Sequence, residues 1–144
     1  MEALCAVGGF PSDVIMAEDA LVAGRLLMSG WRTAYVAEAR VYHSHPFTIA
    51  EEFRRYFDNG VYRRREPWLR EQFGTALGEG KRFVISELKY LYPQYLYLVP
   101  SALVRNIAKA VGYRLGLCES RLGNRWSRML SNHRSFWDRP TTIR

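Results

Sequence analysis

The sequence predicts an α/β region over about the first 45 residues, followed by a mainly α-helical and basic region. An amphipathic helical pattern near the start is followed by two short runs rich in aromatic and β-branched residues, which favour strands. The charge is also divided. Residues 1–52 contain three Arg and seven acidic residues, whereas residues 53–144 contain 18 basic and seven acidic residues. This asymmetry indicates two zones with different tasks.

The composition of the chain is that of a globular protein without a disulfide scaffold. With 144 residues, 48% hydrophobic and 24% charged, the chain has the composition of one modest globular domain and not of a disordered tail. Cys5 and Cys118 lie far apart and no CxxC occurs, which argues against a disulfide scaffold or a structural zinc site. The start does not resemble a signal peptide, and no apolar run reaches the roughly 18–20 residues of a membrane span. We therefore expect a cytoplasmic protein.

The α/β region divides into a turn, a helix and two strands. Gly8-Gly9-Phe10-Pro11 is typical of a turn, because glycine tolerates positive φ and proline fixes the following step. A helix is predicted from about Glu18 to Ser29, with acidic residues in its first turn and Gly30 just beyond its end. Strands are predicted at Trp31–Val36 and Arg40–His43.

The second region reads as successive helices. Thr48 and Glu51 have the spacing of a capping box, and Pro67 suits the first position of another helix. Two further helices are predicted at Lys81–Tyr92 and Ser101–Leu117. In the helix after Thr48 an apolar face is predicted from Ile49, Phe53, Tyr56, Phe57 and Val61. The opposite, polar face is predicted from Glu51, Glu52, Arg54, Arg55 and Asp58.

Two sets of residues are candidates for chemistry. Glu18 and Asp19 open a helix, where acidic residues are common simply as helix-terminal charges. His43 and His45 would point to the same side of a strand and could share a site, although two histidines alone also occur as ordinary packed or exposed residues. The ordered set of turn, acidic pair, helix and His-tipped strand is more specific than any of its parts.

The stretch GGFPSDVIMAEDALVAGRLLMSGWRTAYVAEARVYHSH, residues 8–45, resembles the C-terminal half of the catalytic domain of family-2 glycosyltransferases, which have the GT-A fold. The continuation EEFRRYFDNGVYRRREPWL resembles the bacterial rhamnosyltransferase branch of that family. The resemblance implies the C-terminal half of a GT-A nucleotide-diphospho-sugar transferase domain, with a mainly helical region after it. It also implies transfer of a sugar, with rhamnose as the candidate, to a glycan or lipid-linked acceptor with inversion.

Site residues follow from the same resemblance. Asp19 matches the catalytic base of the family's acidic pair, with Glu18 beside it. His43 matches a ligand of a divalent metal, Mg²⁺ or Mn²⁺, or of the diphosphate, and His45 is a secondary candidate. The substrate-binding candidates are Trp31, Arg40 and Arg63. The implied donor is a nucleotide sugar, with dTDP-rhamnose as the candidate.

The chain departs from the family in one respect. It contains neither Asp-x-Asp nor Gly-x-Gly-x-x-Gly, the motifs expected of a donor-binding half. We therefore expect the donor-binding half to lie outside this chain, and the chain alone to be inactive. A half-sheet would leave open edges, which predicts association through them. The predicted segments are 1–47, the catalytic-domain part, 48–80, acceptor-side helices, and 81–144, a basic helical region.

The region from residue 81 onward has a second interpretation. Four Tyr occur within residues 90–97, and beyond residue 100 there are nine basic and two acidic residues. Aromatic and basic residues together favour an anionic membrane surface, while an ordinary solvated helical face fits as well. The expected location is the inner face of the plasma membrane, peripherally bound. The rival function is a non-catalytic basic module binding anionic membrane or nucleic acid, although no nucleic-acid motif appears and nucleic acid is not an expected partner.

Overall fold

The computed structural model describes residues 1–42, 45–74 and 78–138. The chain forms two compact units, Met1–Pro46 and Phe47–Arg144. The first contains helices α1 (Glu2–Ala6) and α2 (Glu18–Met28). The second contains α3 (Ile49–Arg65), α4 (Pro67–Phe73), α5 (Glu79–Leu91), a 3₁₀ turn (Leu96–Leu98), α6 (Val99–Leu117), α7 (Glu119–Leu130) and α8 (Arg134–Trp137). The predicted division into three segments stays a prediction.

The predicted α/β class is wrong: the described ranges contain helices, turns and loops but no strand. Residues 31–42 form an irregular loop with a tight turn, in which the Ala39 N–H donates to the Val36 carbonyl at 3.2 Å. Tyr35 and Val41 are 94% and 86% exposed. Strand propensity takes effect only when a neighbouring strand and a buried face are present, and the described residues supply neither. The expected GT-A half is wrong for the same reason. The expected association through an open sheet edge also loses its basis, because it required those strands.

The turn and helix predictions for the first unit are confirmed. Gly8 and Gly9 have φ of +82° and +70°, which glycine adopts without a steric penalty. At the end of α2, the Gly30 N–H donates to the Leu27 carbonyl and the Trp31 N–H to the Leu26 carbonyl. This pair of bonds is a Schellman motif, made accessible by Gly30 at φ +84°. The buried apolar side chains of this unit are Ile15, Leu21 and Val22.

The second unit is built on close contact between α3 and α6. A Cβ built on Gly60 or Gly116 would collide with backbone of the opposite helix; from Gly116 it would lie 2.9 Å from the Gly60 Cα. A Cβ on Gly112 would collide with the Phe53 carbonyl. The helices run in the same direction, since Arg105 pairs with Glu52 at 3.2 Å and the Arg64 guanidinium donates to the Leu117 carbonyl further along.

Capping predictions in this unit are also confirmed. Thr48 and Glu51 form the reciprocal capping box that begins α3, with the Thr48 N–H donating to the Glu51 carboxylate at 2.8 Å. These bonds from Thr48 lower the pKa of Glu51. Pro67 occupies the first turn of α4. Helices α5 and α6 cover the predicted ranges to within two residues at each end.

Asp58 is buried, contrary to its predicted place on the polar face of α3. Its Oδ2 accepts a hydrogen bond from the Asn132 N–H at 2.9 Å, which attaches the segment between α7 and α8 to α3. Burial raises the pKa of Asp58, and the Ser131 hydroxyl and the N–H groups of Asn132 and His133 lower it by less. Helical periodicity alone could not identify this residue, because the segment that receives it is 74 positions away.

Aromatic packing attaches α8 to the same helix. Trp137 is buried, and its ring centroid lies 6.4 Å from that of Phe57. The Arg65 guanidinium lies 5.1 Å and 5.2 Å from the ring centroids of Phe136 and Trp137, and it also pairs with Glu119 at 3.1 Å. Cation–π and ion-pair contacts therefore converge on one arginine near the end of α3.

No helix in the described part of the chain is both long and apolar enough to cross a membrane.

Replacing Gly116 should separate α3 from α6. Gly116→Ala adds a Cβ that would overlap the Phe57 carbonyl oxygen, and a clash with backbone cannot be relieved by a rotamer change. We expect a loss of about 1–3 kcal/mol in the free energy of unfolding, measured by urea titration. Gly80→Ala is the matched control, because Gly80 lies in α5 with nothing within 4 Å of its built Cβ. Equal unfolding midpoints for the two variants would contradict the close-contact interpretation.

Asp58 should make stability depend on pH. Because its folded pKa is raised above the ordinary 3.8, the folded state binds more protons than the unfolded state between 3.8 and the folded pKa. The free energy of unfolding should therefore fall as pH rises through that window and level off above it. Urea titrations of the wild type and Asp58→Asn across pH 4–7 measure the difference. Parallel curves for the two proteins would show that Asp58 does not titrate as described.

Candidate functional site

The acidic pair predicted from the sequence lies at the start of α2, held by an unusual backbone. Ala17, immediately before the helix, has φ 61° and ψ 39°, in the left-handed region. It is the one non-glycine residue with positive φ in the described ranges. This conformation costs an alanine about 1 kcal/mol or more, and such strain clusters at functional sites. It turns the chain sharply, so that Glu18 and Asp19 form the first turn of α2.

Both carboxylates face solvent. Glu18 and Asp19 are exposed, and within the described ranges neither forms an ion pair. Asp19 Oδ1 accepts a hydrogen bond from the Ala20 N–H at 2.9 Å, while α2 is anchored below by buried Leu21 and Val22. The N–H groups at a helix start favour negative charge nearby. The arrangement presents a carboxylate to an incoming molecule from a fixed helix, which is what a proton acceptor requires.

The other predicted site residues are not gathered around this pair. Trp31 follows the end of α2, an 11-residue helix about 16 Å long that carries Asp19 in its first turn. Its side chain is 43% exposed, and Arg40 is exposed in the loop of residues 31–42. No hydrogen bond or ion pair within the described ranges joins Asp19, Trp31 and Arg40. Arg63 is half-buried on α3, in the second unit.

The structure describes one of the two histidines that were predicted to bind a metal. His43 lies outside the described residues, and His45 is exposed. Among residues 1–42, 45–74 and 78–138, no group of three or more His, Cys, Asp or Glu side chains is arranged to hold a metal ion. The roles of His43 and His45 therefore stay predictions.

Three features of the structure were not predicted from the sequence. Ala17 carries no signal, because alanine is not a residue that marks a left-handed turn. The glycines of the α3–α6 contact do have a signal: Gly112 and Gly116 lie four residues apart, on one face of a helix, and Gly60 lies at a matching position on α3. Small residues at that spacing predict close helix approach, whereas the buried role of Asp58 depends on a distant segment.

Comparisons with known proteins supply two relatives. The chain is 44% identical over 133 residues to the O-antigen chain rhamnosyltransferase WbaN of Salmonella anatum, and 42% identical over 132 residues to the O-antigen chain rhamnosyltransferase RfbN of Salmonella typhimurium strain LT2. Each match covers 92% of this chain and 42% of the relative.

No family model and no solved structure matches the chain. The similarity to the two relatives includes both units, since a match over 92% of the chain exceeds the length of either one. The chain is therefore similar, over nearly its whole length, to about two-fifths of two O-antigen chain rhamnosyltransferases.

Proposed function

We propose that this chain is part of a rhamnosyltransferase-like glycosyltransferase that acts on a growing O-antigen chain. The observation that carries the proposal is the identity of 42–44% over 92% of the chain to two O-antigen chain rhamnosyltransferases. The exposed carboxylates at the start of α2 supply the kind of group that the reaction needs. Similarity to enzymes over this length favours catalysis over the rival non-catalytic basic module.

The proposed chemistry assigns Asp19 the role of general base. An acceptor hydroxyl attacks the anomeric carbon of the sugar from the side opposite the leaving group, so that the configuration inverts. The hydroxyl proton passes to an Asp19 carboxylate oxygen as the new carbon–oxygen bond forms. The bond to the nucleoside diphosphate breaks, and the leaving group departs with the electron pair. General-base catalysis contributes about 10²–10⁴-fold to such a rate.

Two features of the structure support Asp19 over Glu18. The Asp19 carboxylate is fixed by its bond with the Ala20 N–H, and Oδ2 has no hydrogen bond with the described residues, so that it can accept a proton. Glu18 has a longer side chain, and its carboxylate accepts no hydrogen bond from the part of the chain that the structure describes, so that it is less well oriented. We assign Glu18 to orienting the acceptor or stabilising the helix start.

The donor proposed for the complete enzyme is a nucleotide sugar, with dTDP-rhamnose as the candidate, and the acceptor is a glycan or a lipid-linked glycan. A divalent ion, if bound, would stabilise the diphosphate leaving group. Trp31 and Arg40 are exposed and are proposed to contact parts of a large glycan away from Asp19, because a sugar chain extends well beyond the length of α2, about 16 Å.

Asp19→Asn should abolish rhamnosyl transfer while leaving the fold intact. The measurement uses a chimera in which this chain replaces the matching segment of WbaN, tested for O-antigen chain formation in a strain that lacks its own WbaN. We expect the chimera to restore transfer and its Asp19→Asn variant to lose about 10²-fold or more in rate. Asn keeps the shape of the side chain and the bond with Ala20 but cannot accept the proton.

Glu18→Gln is the matched control, one position away on the same helix turn, and should cost much less than Asp19→Asn. Near-normal transfer by Asp19→Asn would remove Asp19 from its role. A correctly expressed chimera that transfers nothing would count against the proposed function itself. The isolated 144-residue chain should show no turnover with dTDP-rhamnose, and robust turnover would contradict the expectation that the donor-binding part lies elsewhere.

A further inference from the structure

The two faces of helix α6 have different surroundings. One face packs on α3 through Gly112 and Gly116, and Arg105 and Lys109 on that side pair with Glu52 at 3.2 Å and 3.8 Å. The opposite face is apolar and open to solvent. Its exposed side chains are Leu103, Val104, Ile107, Ala110 and Val111. Residues with spacings of three and four form one continuous stripe along a helix, so this is a single surface.

Exposed aromatic residues also occur in the segment that leads into α6. Tyr90 and Tyr97 are each 75% exposed, Tyr92 is 70% exposed and Leu96 52%. The Tyr90 and Tyr95 rings stack with centroids 6.0 Å apart. Tyrosine combines an apolar ring with a polar hydroxyl, and it is enriched where hydrocarbon meets water at a membrane interface. We call the stripe and these tyrosines the α6 surface.

The α6 surface has few acidic neighbours, and the Glu87 carboxylate on the adjoining part of α5 accepts a hydrogen bond from the Asn106 side chain of α6 at 2.6 Å. Between Tyr92 and Cys118 the sequence contains no Asp or Glu. Lys89 precedes the tyrosines, and Arg114 lies near the end of the stripe; both are exposed, and within the described ranges neither forms an ion pair. An apolar surface with a cation at either end and no carboxylate on α6 itself is complementary to anionic headgroups above hydrocarbon.

We propose that the α6 surface binds an anionic phospholipid membrane, with α6 lying parallel to the bilayer plane. Helix α6 contains 19 residues and is about 28 Å long, and no described helix is suited to span a bilayer. Interfacial helices bury one apolar face among the acyl chains and headgroups, and the other face of α6 is already covered by α3. A second copy that packed through its own α6 surface would bring the same cations together without facing carboxylates, so it matches the charge less well. This inference does not depend on the proposed transferase activity.

The test is co-sedimentation of the 144-residue chain with vesicles. One set consists of phosphatidylcholine alone, and the other of equal parts phosphatidylcholine and phosphatidylglycerol. We expect binding to the anionic vesicles that weakens as salt is raised, and much weaker binding to phosphatidylcholine. Arg114→Glu should lower the partition coefficient about fivefold or more, since one basic residue contributes about a factor of five near an anionic surface.

Variants separate the α6 surface from the rest of the chain. Ile107→Asp, at the centre of the stripe and 62% exposed, should abolish binding. Met129→Asp is the matched control on α7, since Met129 is also apolar and is 51% exposed. Circular dichroism and thermal melting establish that each variant is folded. Should Ile107→Asp fail to fold, Arg114→Glu and Ile107→Ser take its place.

Three results would overturn the proposal. The first is equal, salt-independent binding to both kinds of vesicle. The second is an equal loss of binding in Met129→Asp and Ile107→Asp. The third is the absence of vesicle binding together with a concentration-dependent dimer, seen by sedimentation equilibrium, that Ile107→Asp dissociates. That last result would assign the α6 surface to a second copy of the chain instead.

Discussion

The contact between α3 and α6 depends on the absence of side chains at Gly60, Gly112 and Gly116. A Cβ at any of these positions would collide with backbone of the opposite helix, so the two helices approach more closely than larger residues would permit. Close approach brings the carboxylate of Glu52 within ion-pair distance of two cations on α6. It also fixes α3 as the platform on which the buried Asp58 and the ring of Phe57 receive the following helices. The second unit is therefore organised around helix backbone contact more than around a large apolar core.

This way of building the unit has a consequence for its surface. Glycines and paired charges occupy the inner face of α6, and a stripe of its apolar residues lies on the outer face. In an ordinary amphipathic helix the apolar stripe faces the core. Here the stripe is exposed, and exposed apolar stripes of this kind mark binding surfaces. The inversion of the usual pattern is the structural reason that α6 resembles an interfacial helix, and it follows from the glycines.

Local signals in the sequence predicted local structure well. Gly30, the Thr48–Glu51 pair and Pro67 act through bonds or steric constraints within one helical turn, and each appears in the structure as predicted. The strand predictions were wrong for residues 31–36 and for residues 40–42, the described part of the second predicted strand, because a strand is stable only beside a partner, which propensity does not measure. The predicted place of Asp58 on the polar face was wrong for a related reason, because its burial depends on a distant segment, whose Asn132 N–H donates a hydrogen bond to it. The helix start that carries Asp19 was predicted, but the left-handed Ala17 before it was not.

The position of Asp19 shows why a helix start and its acidic residues can be predicted while the backbone before them is not. Acidic residues at a helix start are common, and their spacing to later residues gave Asp19 its significance. The structure adds a strained alanine, which would relax if nothing required the chain to turn at that point. Glycine would adopt the same conformation without strain, but it would leave the preceding segment freer in the unfolded and folded states. An alanine here stiffens the approach to α2, and a stiff approach limits how far the Asp19 carboxylate can move. For the general base proposed at Asp19, whose contribution depends on hydrogen-bond reach to one hydroxyl, restricted motion would be a catalytic advantage that offsets the cost in stability.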